Sequence, residues 1–408
     1  MGSIVEPTQT QLEDLVAPYL ATQSSGLGFA IGYASMDFSN LGGLYFAGNV
    51  QNQFGVALTL DATTPFEIAS VSKTFTATLY ARLIRSVQST LTIGDYCVPN
   101  GPLRISPTLA NITLDELVNY TSGLPQDNDN GAVDTPPYWT YPYSMPGMMS
   151  FLEAAPPQVD PPNEKYRYSN LGFAIMSAIL ASNDANSNPS VGAFMQQMRE
   201  YIFKPLGLQA KFFNEASLAE LPLGYDYDYT QSPVYSAASP GWVFFPAYFG
   251  AGGIVATPND MFQWLLFNMG IAQQPLLTPL LPALQSPSTS VQWGDNQFGL
   301  GWFINPAGTN WSASIWKDGD LDGFGSYIAF LPSANPGVTA SQAGAFVLVN
   351  ADGVTDSQEN SGVEIACALT NDLLLIMQGE TPPTDKSVYP RSALSRRQKR
   401  PAARPAPR

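Results

Sequence analysis

Apolar residues recur every three or four positions in several stretches of this chain. The first stretch forms one face of a predicted amphipathic helix, with Leu12, Leu15, Val16, Tyr19 and Leu20. The same spacing predicts further helices over 70–87, 170–180, 191–203, 258–269 and 361–377. Thr113-Leu-Asp-Glu116 has the form of a capping box and predicts another helix start.

Runs rich in β-branched and aromatic residues predict strands near both ends of the chain. These runs cover 28–33, 44–48, 298–304, 313–317, 326–331 and 345–350. Helices dominate the region between them. We therefore predict an α+β fold in which one antiparallel sheet is formed from both chain termini, with flanking helices and an inserted, mainly helical lobe.

The domain organisation follows from this order. Residues 1–385 are predicted to form a single two-lobed domain, with an α/β lobe over about 8–90 and 290–380 and a helical lobe over about 91–289. Within the helical lobe, 123–163 is rich in Pro, Met and aromatics and is predicted to be a long ordered loop or lid. Residues 386–408 form a basic Pro/Ala/Arg tail, predicted to be disordered.

Charge is unevenly placed along the chain. Residues 1–385 contain ten Lys and Arg against all 33 Asp and Glu, a net charge of −23, whereas the tail contains eight basic groups and no acid. An acidic body disfavours nucleic acid and anionic membranes as partners. No apolar run is long enough to span a membrane, and the N-terminal residues do not have the basic and apolar pattern expected of a signal peptide. We expect a cytoplasmic protein or a secreted one whose leader was removed.

The chain contains no histidine, which excludes a Ser-His-Asp triad and any His-ligated metal. We expect neither a metal nor a cofactor. Ser70-Val-Ser-Lys73 supplies another way to activate a serine, because i, i+3 spacing places both side chains on one helix face. The helix N-terminus favours a developing oxyanion at Ser70 and lowers the pKa of Lys73. The alternative is that Lys73 is a solvated helix lysine.

Two further motifs are weak when taken alone. Tyr168-Ser169-Asn170 precedes a helical pattern, and the alternative is that Ser169 is simply an N-cap. Lys317-Asp318-Gly319 stands at the end of an apolar strand, where glycine permits close approach of a substrate backbone. The alternative for it is an ordinary strand end and turn.

In this order, Ser-x-x-Lys, Tyr-x-Asn and Lys-x-Gly resemble the motifs of the serine β-lactamase and penicillin-binding-protein family. The resemblance is to the class C β-lactamase-like branch, which includes family VIII carboxylesterases and D-amino-acid peptidases. It covers roughly residues 10–378. Four other segments agree with it, namely Tyr120-Thr-Ser-Gly-Leu-Pro125, Pro205-Leu-Gly207, Gly252-Gly-Ile-Val-Ala-Thr257 and Phe298-Gly-Leu-Gly-Trp302. Tyr120 replaces the family's usual histidine, and we expect its role to be structural.

The resemblance implies a role for each motif residue. Ser70 would be the nucleophile, and Lys73 and Tyr168 would share general-base work and return of a proton to the leaving group. Asn170 would hydrogen-bond Lys73 and the amide on the acyl side of the substrate. No cofactor is implied.

The third motif would complete the site. The backbone N–H groups of Ser70 and Asp320, the residue after Gly319, would form the oxyanion hole. Lys317 would support Tyr168 electrostatically, lower the pKa of its phenol, and be available to a substrate carboxylate.

The middle residue of Lys-x-Gly departs from the family. Related β-lactamases usually have Thr there, and this chain has Asp318. A substrate carboxylate would be repelled unless the Asp318 side chain points away from Lys317. The aromatic segment 138–143 suggests an apolar pocket wall. Both features favour neutral esters, and Asp318 also leaves room for substrates that carry an amine.

We therefore predict a serine hydrolase that acts through an acyl-enzyme on small carboxylic esters or related amides. The alternative is a class C-type β-lactamase or a D-amino-acid or D-Ala-D-Ala peptidase. A non-catalytic penicillin-binding protein is a third possibility. The sequence leaves the oligomeric state open.

Overall fold

The structure is a computed structural model. It describes residues 3–22, 26–88, 90–96, 105–127, 144–154, 156–182, 189–227, 235–237, 246–308, 311–321, 323–353, 361–386 and 389. The aromatic segment 138–143 lies outside the described residues, as does nearly all of the tail 386–408.

A seven-stranded antiparallel sheet built from both ends of the chain organises the fold. Its strand order is β10-β11-β12-β13-β14-β1-β2. These strands are β1 (Gly28–Ala34), β2 (Gly42–Gly48), β10 (Gln297–Phe298), β11 (Phe303–Asn305), β12 (Ser314–Leu321), β13 (Phe324–Phe330) and β14 (Gly344–Val349). The N-terminal β1 pairs with the C-terminal β14, which confirms the predicted sheet.

Short strands and helices make up the rest. The short strands are β3 (Val50–Gln51), β4 (Ala57–Leu58), β5 (Phe66–Glu67), β6 (Lys211–Phe212), β7 (Tyr225–Tyr227), β8 (Tyr235–Ala237), β9 (Ile254–Ala256) and β15 (Ala351–Gly353). The α-helices are α1 (Gln9–Thr22), α2 (Ser72–Tyr80), α3 (Ile93–Tyr96), α4 (Leu114–Val118), α5 (Met145–Ala154), α6 (Asn170–Ala181), α7 (Val191–Met198), α8 (Lys204–Leu206), α9 (Phe249–Gly252), α10 (Pro258–Asn268), α11 (Leu281–Gln285) and α12 (Gly362–Met377).

Helices cover both faces of the large sheet, and glycines allow two of them to approach closely. A Cβ at Gly325 would lie 2.5 Å from the backbone of Gly362 in α12. On the opposite face, a Cβ at Gly344 would lie 2.6 Å from Met269, just after α10. The apolar core is continuous from the sheet into the helices. Among the described residues, no helix has the length and apolar character needed to cross a bilayer.

Helix α2 is buried along its whole length, although threonines alternate with apolar residues in it. The Oγ1 atoms of Thr74, Thr76 and Thr78 donate hydrogen bonds to the backbone oxygens of Val71, Gly250 and Thr74. These bonds offset the cost of burying hydroxyls. The helix is therefore fixed on every side at the centre of the molecule.

Three sequence predictions need correction. The strand predicted over 298–304 is instead a hairpin of β10 and β11. Gly301 between them has φ of 78°, and its lack of a side chain lets it lie close to α2, since a Cβ there would be 3.0 Å from the Lys73 carbonyl oxygen. The strand predicted to end at Lys317 continues to Leu321, so Lys317-Asp318-Gly319 is not a strand end. The segment predicted as a long loop over 123–163 contains helix α5, whose apolar side chains pack into the core.

Candidate active site

A strained turn presents Ser70. The 3₁₀ turn Ala69–Val71 follows strand β5 and continues into α2. Ala69 has φ of 46°, a region that residues with a Cβ rarely adopt. Within this turn the Val71 N–H donates a hydrogen bond of 3.0 Å to the Ile68 carbonyl oxygen, which fixes the backbone around Ser70. Ser70 is 4% exposed.

Lys73 is fully buried with its amine directed at Ser70. Lys73 Nζ lies 2.9 Å from Ser70 Oγ, 2.7 Å from Asn170 Oδ1 and 2.7 Å from the Ala251 carbonyl oxygen. The alternative of a solvated helix lysine is therefore wrong. The i, i+3 spacing brings Ser70 and Lys73 together as predicted.

The surroundings of Lys73 favour the neutral amine. Burial lowers its pKa well below the ordinary lysine value, and the nearby Lys317 lowers it further against the opposing effects of Asp127 and Asp318. A neutral amine has two N–H groups and one lone pair. Asn170 Oδ1 and the Ala251 carbonyl can only accept hydrogen bonds, so the two N–H groups go to them and the lone pair faces Ser70 Oγ.

Tyr168 approaches Ser70 from the other motif. Its hydroxyl donates a hydrogen bond of 2.7 Å to Ser70 Oγ, and its ring stacks on Tyr120 with a centroid separation of 5.5 Å. Ser169 caps α6 by accepting a hydrogen bond from the Gly172 N–H, so the alternative reading of this residue is also correct. The cap places Tyr168 one residue before the N-cap and Asn170 at the first residue of the helix.

The pKa of the Tyr168 phenol is shifted upward overall, opposite to the net lowering predicted from Lys317. Burial raises the pKa of the Tyr168 phenol well above its ordinary value, and the Asp318 carboxylate adds to this increase. The hydrogen bond to Ser70 opposes the increase without cancelling it. Tyr168 is thus held as a protonated phenol, the state in which it can donate to Ser70.

Asp127 is a member of the site that the sequence reasoning missed. Asn170 Nδ2 donates a hydrogen bond of 3.0 Å to Asp127 Oδ1. Because a carboxylate only accepts, this bond turns the amide oxygen of Asn170 toward Lys73. Asp127 lies two residues after the Tyr120–Pro125 segment, and that proximity could have identified it.

Lys317 and Asp318 form a buried pair beside this centre. Lys317 Nζ lies 2.5 Å from Asp318 Oδ1 and 2.7 Å from the Asp318 carbonyl oxygen, and both side chains are 0% exposed. Lys317 Nζ also lies 5.4 Å from the centre of the Tyr168 ring. The Asp318 carboxylate therefore contacts Lys317 rather than pointing away from it.

Gly319 lets strand β12 pack against the turn that carries Ser70. A Cβ at Gly319 would lie 2.4 Å from the Ile68 carbonyl oxygen and 2.2 Å from Ser326 Oγ, which itself donates a 2.9 Å hydrogen bond to Ile68. Strand β11 pairs only with the first three residues of β12, which are 314–316. Among the described strands, residues 317–321 of β12 pair with β13 alone.

The site thus brings together residues from the three motifs, with Gly319 packed against the turn that carries Ser70. Tyr120 is fully buried and donates a hydrogen bond of 2.9 Å to the Gly301 carbonyl oxygen, so its expected structural role is confirmed. Among the described residues, no group of three or more Cys, Asp and Glu side chains is arranged to hold a metal ion.

Residues 44–369 match the family model described as Beta-lactamase. The chain belongs to the Beta-lactamase family. Among curated proteins, it is 26% identical over 341 residues to the D-alanyl-D-alanine-carboxypeptidase/endopeptidase AmpH of Escherichia coli strain K12, covering 77% of each chain. It is also 25% identical over 290 residues to the Unguisins hydrolase ungD' of Aspergillus campestris, covering 66% of this chain and 51% of the relative.

A solved structure confirms the fold of this Beta-lactamase-family chain. The Beta-lactamase/D-alanine Carboxypeptidase from Yersinia pestis, complexed with citrate, superposes with a TM-score of 0.65 at 20% identity. The match covers 91% of this chain and 99% of that one. The large antiparallel sheet with flanking helices is therefore the β-lactamase/transpeptidase fold that the resemblance implied.

Proposed function

We propose that this protein is a serine hydrolase that forms an acyl-enzyme at Ser70 and acts on carboxylic esters or related amides. The observation that carries the proposal is the position of Ser70 Oγ. It lies 2.9 Å from the Lys73 amine and 2.7 Å from the Tyr168 hydroxyl, two groups able to move protons.

The opposite pKa shifts of these two groups divide the work between them. Lys73, held neutral, accepts the Ser70 proton as Oγ attacks the substrate carbonyl carbon. Tyr168, held protonated, donates to the leaving oxygen or nitrogen as its bond to carbon breaks, and Lys73 returns a proton to the phenol. Water then attacks the acyl-enzyme by the reverse proton path and releases the acid and free Ser70.

The oxyanion would be stabilised by the N–H groups of Ser70 and Asp320. The close packing of β12 against the Ile68–Ala69 backbone supports this role, because it holds the strand edge next to the Ser70 turn. An extended substrate would add hydrogen bonds along the side of β12 that faces away from β13. Asn170 would serve the acyl side of the substrate while it positions Lys73.

A second candidate function is a β-lactamase or a D-amino-acid peptidase. The names of two similar proteins favour it, since one is a D-alanyl-D-alanine-carboxypeptidase/endopeptidase and the other a β-lactamase/D-alanine carboxypeptidase. A non-catalytic penicillin-binding protein is a third candidate. The three candidates share the nucleophile and differ in substrate and turnover.

One panel separates these candidates. Purified protein is assayed with short-chain p-nitrophenyl esters, a chromogenic cephalosporin and D-amino-acid amides. We expect ester hydrolysis that Ser70→Ala abolishes and that the control Ser217→Ala, at an exposed serine, leaves unchanged. Turnover of the cephalosporin or the amides without the esters would establish the second candidate.

A labelling experiment tests the third candidate and the nucleophile itself. A fluorescent penicillin or phosphonate that labels Ser70, with none of the panel substrates turned over, would indicate a binding protein. Hydrolysis that survives Ser70→Ala would refute the assignment of Ser70 as the nucleophile.

A further inference from the structure

The Lys317 amine is already occupied by a carboxylate of its own chain. Two contacts of 2.5 and 2.7 Å join Lys317 Nζ to the side chain and carbonyl oxygen of Asp318. Neither side chain is exposed to solvent. A carboxylate arriving with a substrate would therefore have to displace Asp318 or lie against it.

The pair offers no net positive charge to such a group. Lys317 with Asp318 carries zero net charge whichever of the two holds the shared proton. The amine of the other lysine of the site, Lys73, points at the neutral Asn170 and Ala251 oxygens, and burial lowers its pKa so that the uncharged form is favoured. Asp127 lies behind Asn170 as an additional negative charge. The fixed charges of the site thus suit a neutral substrate better than an anionic one.

We propose that Asp318 is a specificity-determining residue which takes the place of a substrate carboxylate beside Lys317, so that the site selects uncharged leaving groups and rejects those carrying a carboxylate. This inference rests on the proposed hydrolase function and narrows its substrate class. It places neutral esters and amides ahead of β-lactams and peptides that end in a free carboxylate.

The strength of the discrimination against an anionic leaving group depends on how close its carboxylate comes to Asp318. A second carboxylate would approach within a few ångströms of Asp318 in a region shielded from water. Between like charges there, the repulsion corresponds to a rate difference on the order of tenfold to a hundredfold. An uncharged group of the same shape avoids this repulsion and loses no bond to Lys317.

A matched pair of esters measures this directly. The butyryl esters of 3-hydroxybenzoate and of methyl 3-hydroxybenzoate differ in one charge on the leaving group and give the same butyryl-enzyme. Their ratio of kcat/KM, divided by the ratio of their alkaline hydrolysis rates, reports the preference of the acylation step for a leaving group with a methyl ester over one with a carboxylate. The part of this preference due to the Asp318 charge is then isolated by the Asp318→Asn variant. We expect the wild type to prefer the methyl ester by at least about tenfold.

Asp318→Asn keeps the shape of the side chain and removes its charge. We expect this variant to reduce the preference for the methyl ester by about tenfold or more. Asp14→Asn, at an exposed position on α1, is the charge-matched control and should keep the wild-type ratio. A ratio unchanged by Asp318→Asn, or a wild type that cleaves both esters equally, overturns the proposal.

A binding measurement on the wild type covers the case in which Asp318→Asn fails to fold. Phenylboronic acid and 3-carboxyphenylboronic acid both form reversible adducts with an active serine. We expect only the neutral boronate to raise the Tm of the wild type, and an equal shift by both contradicts the proposal. Hydrolysis that persists in Ser70→Ala would instead refute the proposed function, so the two failures are distinct.

Discussion

Two lysines bury their amines next to the same phenol, and they differ in what they bond to. Lys73 Nζ lies 4.9 Å and Lys317 Nζ 5.4 Å from the centre of the Tyr168 ring, and neither side chain is exposed. Burial lowers the pKa of both. Lys73 bonds to a hydroxyl, an amide oxygen and a carbonyl, whereas Lys317 bonds to a carboxylate.

The difference shows that burial alone does not define the role of a lysine. Without a carboxylate partner, the buried amine of Lys73 loses its proton readily and is suited to act as a base. Lys317 has a carboxylate partner, and with Asp318 it forms a pair of zero net charge in which the proton of the amine is held between the two side chains. Lys317 is therefore suited to holding Asp318 in place beside Tyr168 rather than to taking a proton.

The largest effect should come from removing the base. Lys73→Met keeps an unbranched apolar stem and removes the amine, so we expect kcat/KM for a neutral ester to fall by about 10⁴-fold. Lys204→Met, at a side chain that is 75% exposed, is the matched control and should retain wild-type activity. A loss below tenfold in Lys73→Met would show that another group takes the Ser70 proton.

Removing the phenol hydroxyl should cost roughly 10²–10⁴-fold in the acylation rate, because Tyr168→Phe deletes the donor to Ser70 and the acid for the leaving group. The penalty should shrink for esters with better leaving groups, which need less protonation. Rates for a series of substituted phenyl esters check this. A change under threefold across the series is inconsistent with the role given to Tyr168.

Lys317 should matter for stability through its pairing. Lys317→Met leaves the Asp318 carboxylate buried without its cation, and we expect a loss of about 3–5 kcal/mol in the free energy of unfolding. The double variant Lys317→Met/Asp318→Asn should recover most of that loss. Urea denaturation measures both, with Lys204→Met as a surface control expected to change stability by under ~0.5 kcal/mol. Equal losses in the single and double variants would contradict the buried pair.

The smallest effect is a shift in pH dependence. Activity should fall about tenfold per pH unit on the acid side of the Lys73 pKa, because protonation removes the lone pair. That midpoint should lie well below ~10.4, the ordinary lysine value. Asp127 raises the pKa of Lys73, so Asp127→Asn should move the midpoint to lower pH. A profile of kcat/KM against pH that stays in place, or moves up, argues against this coupling.

The motif residues and the sheet were predictable because local patterns encode them. Alternating and helical periodicities located the strands at both ends and the helices between. The spacing of Ser70 and Lys73 placed two side chains on one helical face, a relation that depends on helix geometry alone. Absence of histidine directed attention to this pair.

Features that depend on distant segments were not predictable in the same way. The turn at Gly301 is set by its packing against α2, so the sequence suggested one strand where there are two. Asp127 acquires its role only because Asn170, 43 residues away, bonds to it. The predicted lowering of the Tyr168 pKa considered one charge and omitted burial.

The sequence by itself determined which groups could react, namely a serine, an amine and a phenol in three separate motifs. The tertiary structure decided the protonation states that those groups favour and the partner that each one has. Protonation depends on burial and on charges contributed by remote segments, which no local pattern specifies. Lys317 and Asp318 show this most clearly, since they are adjacent in the sequence but became a buried pair only when the rest of the chain excluded water from both.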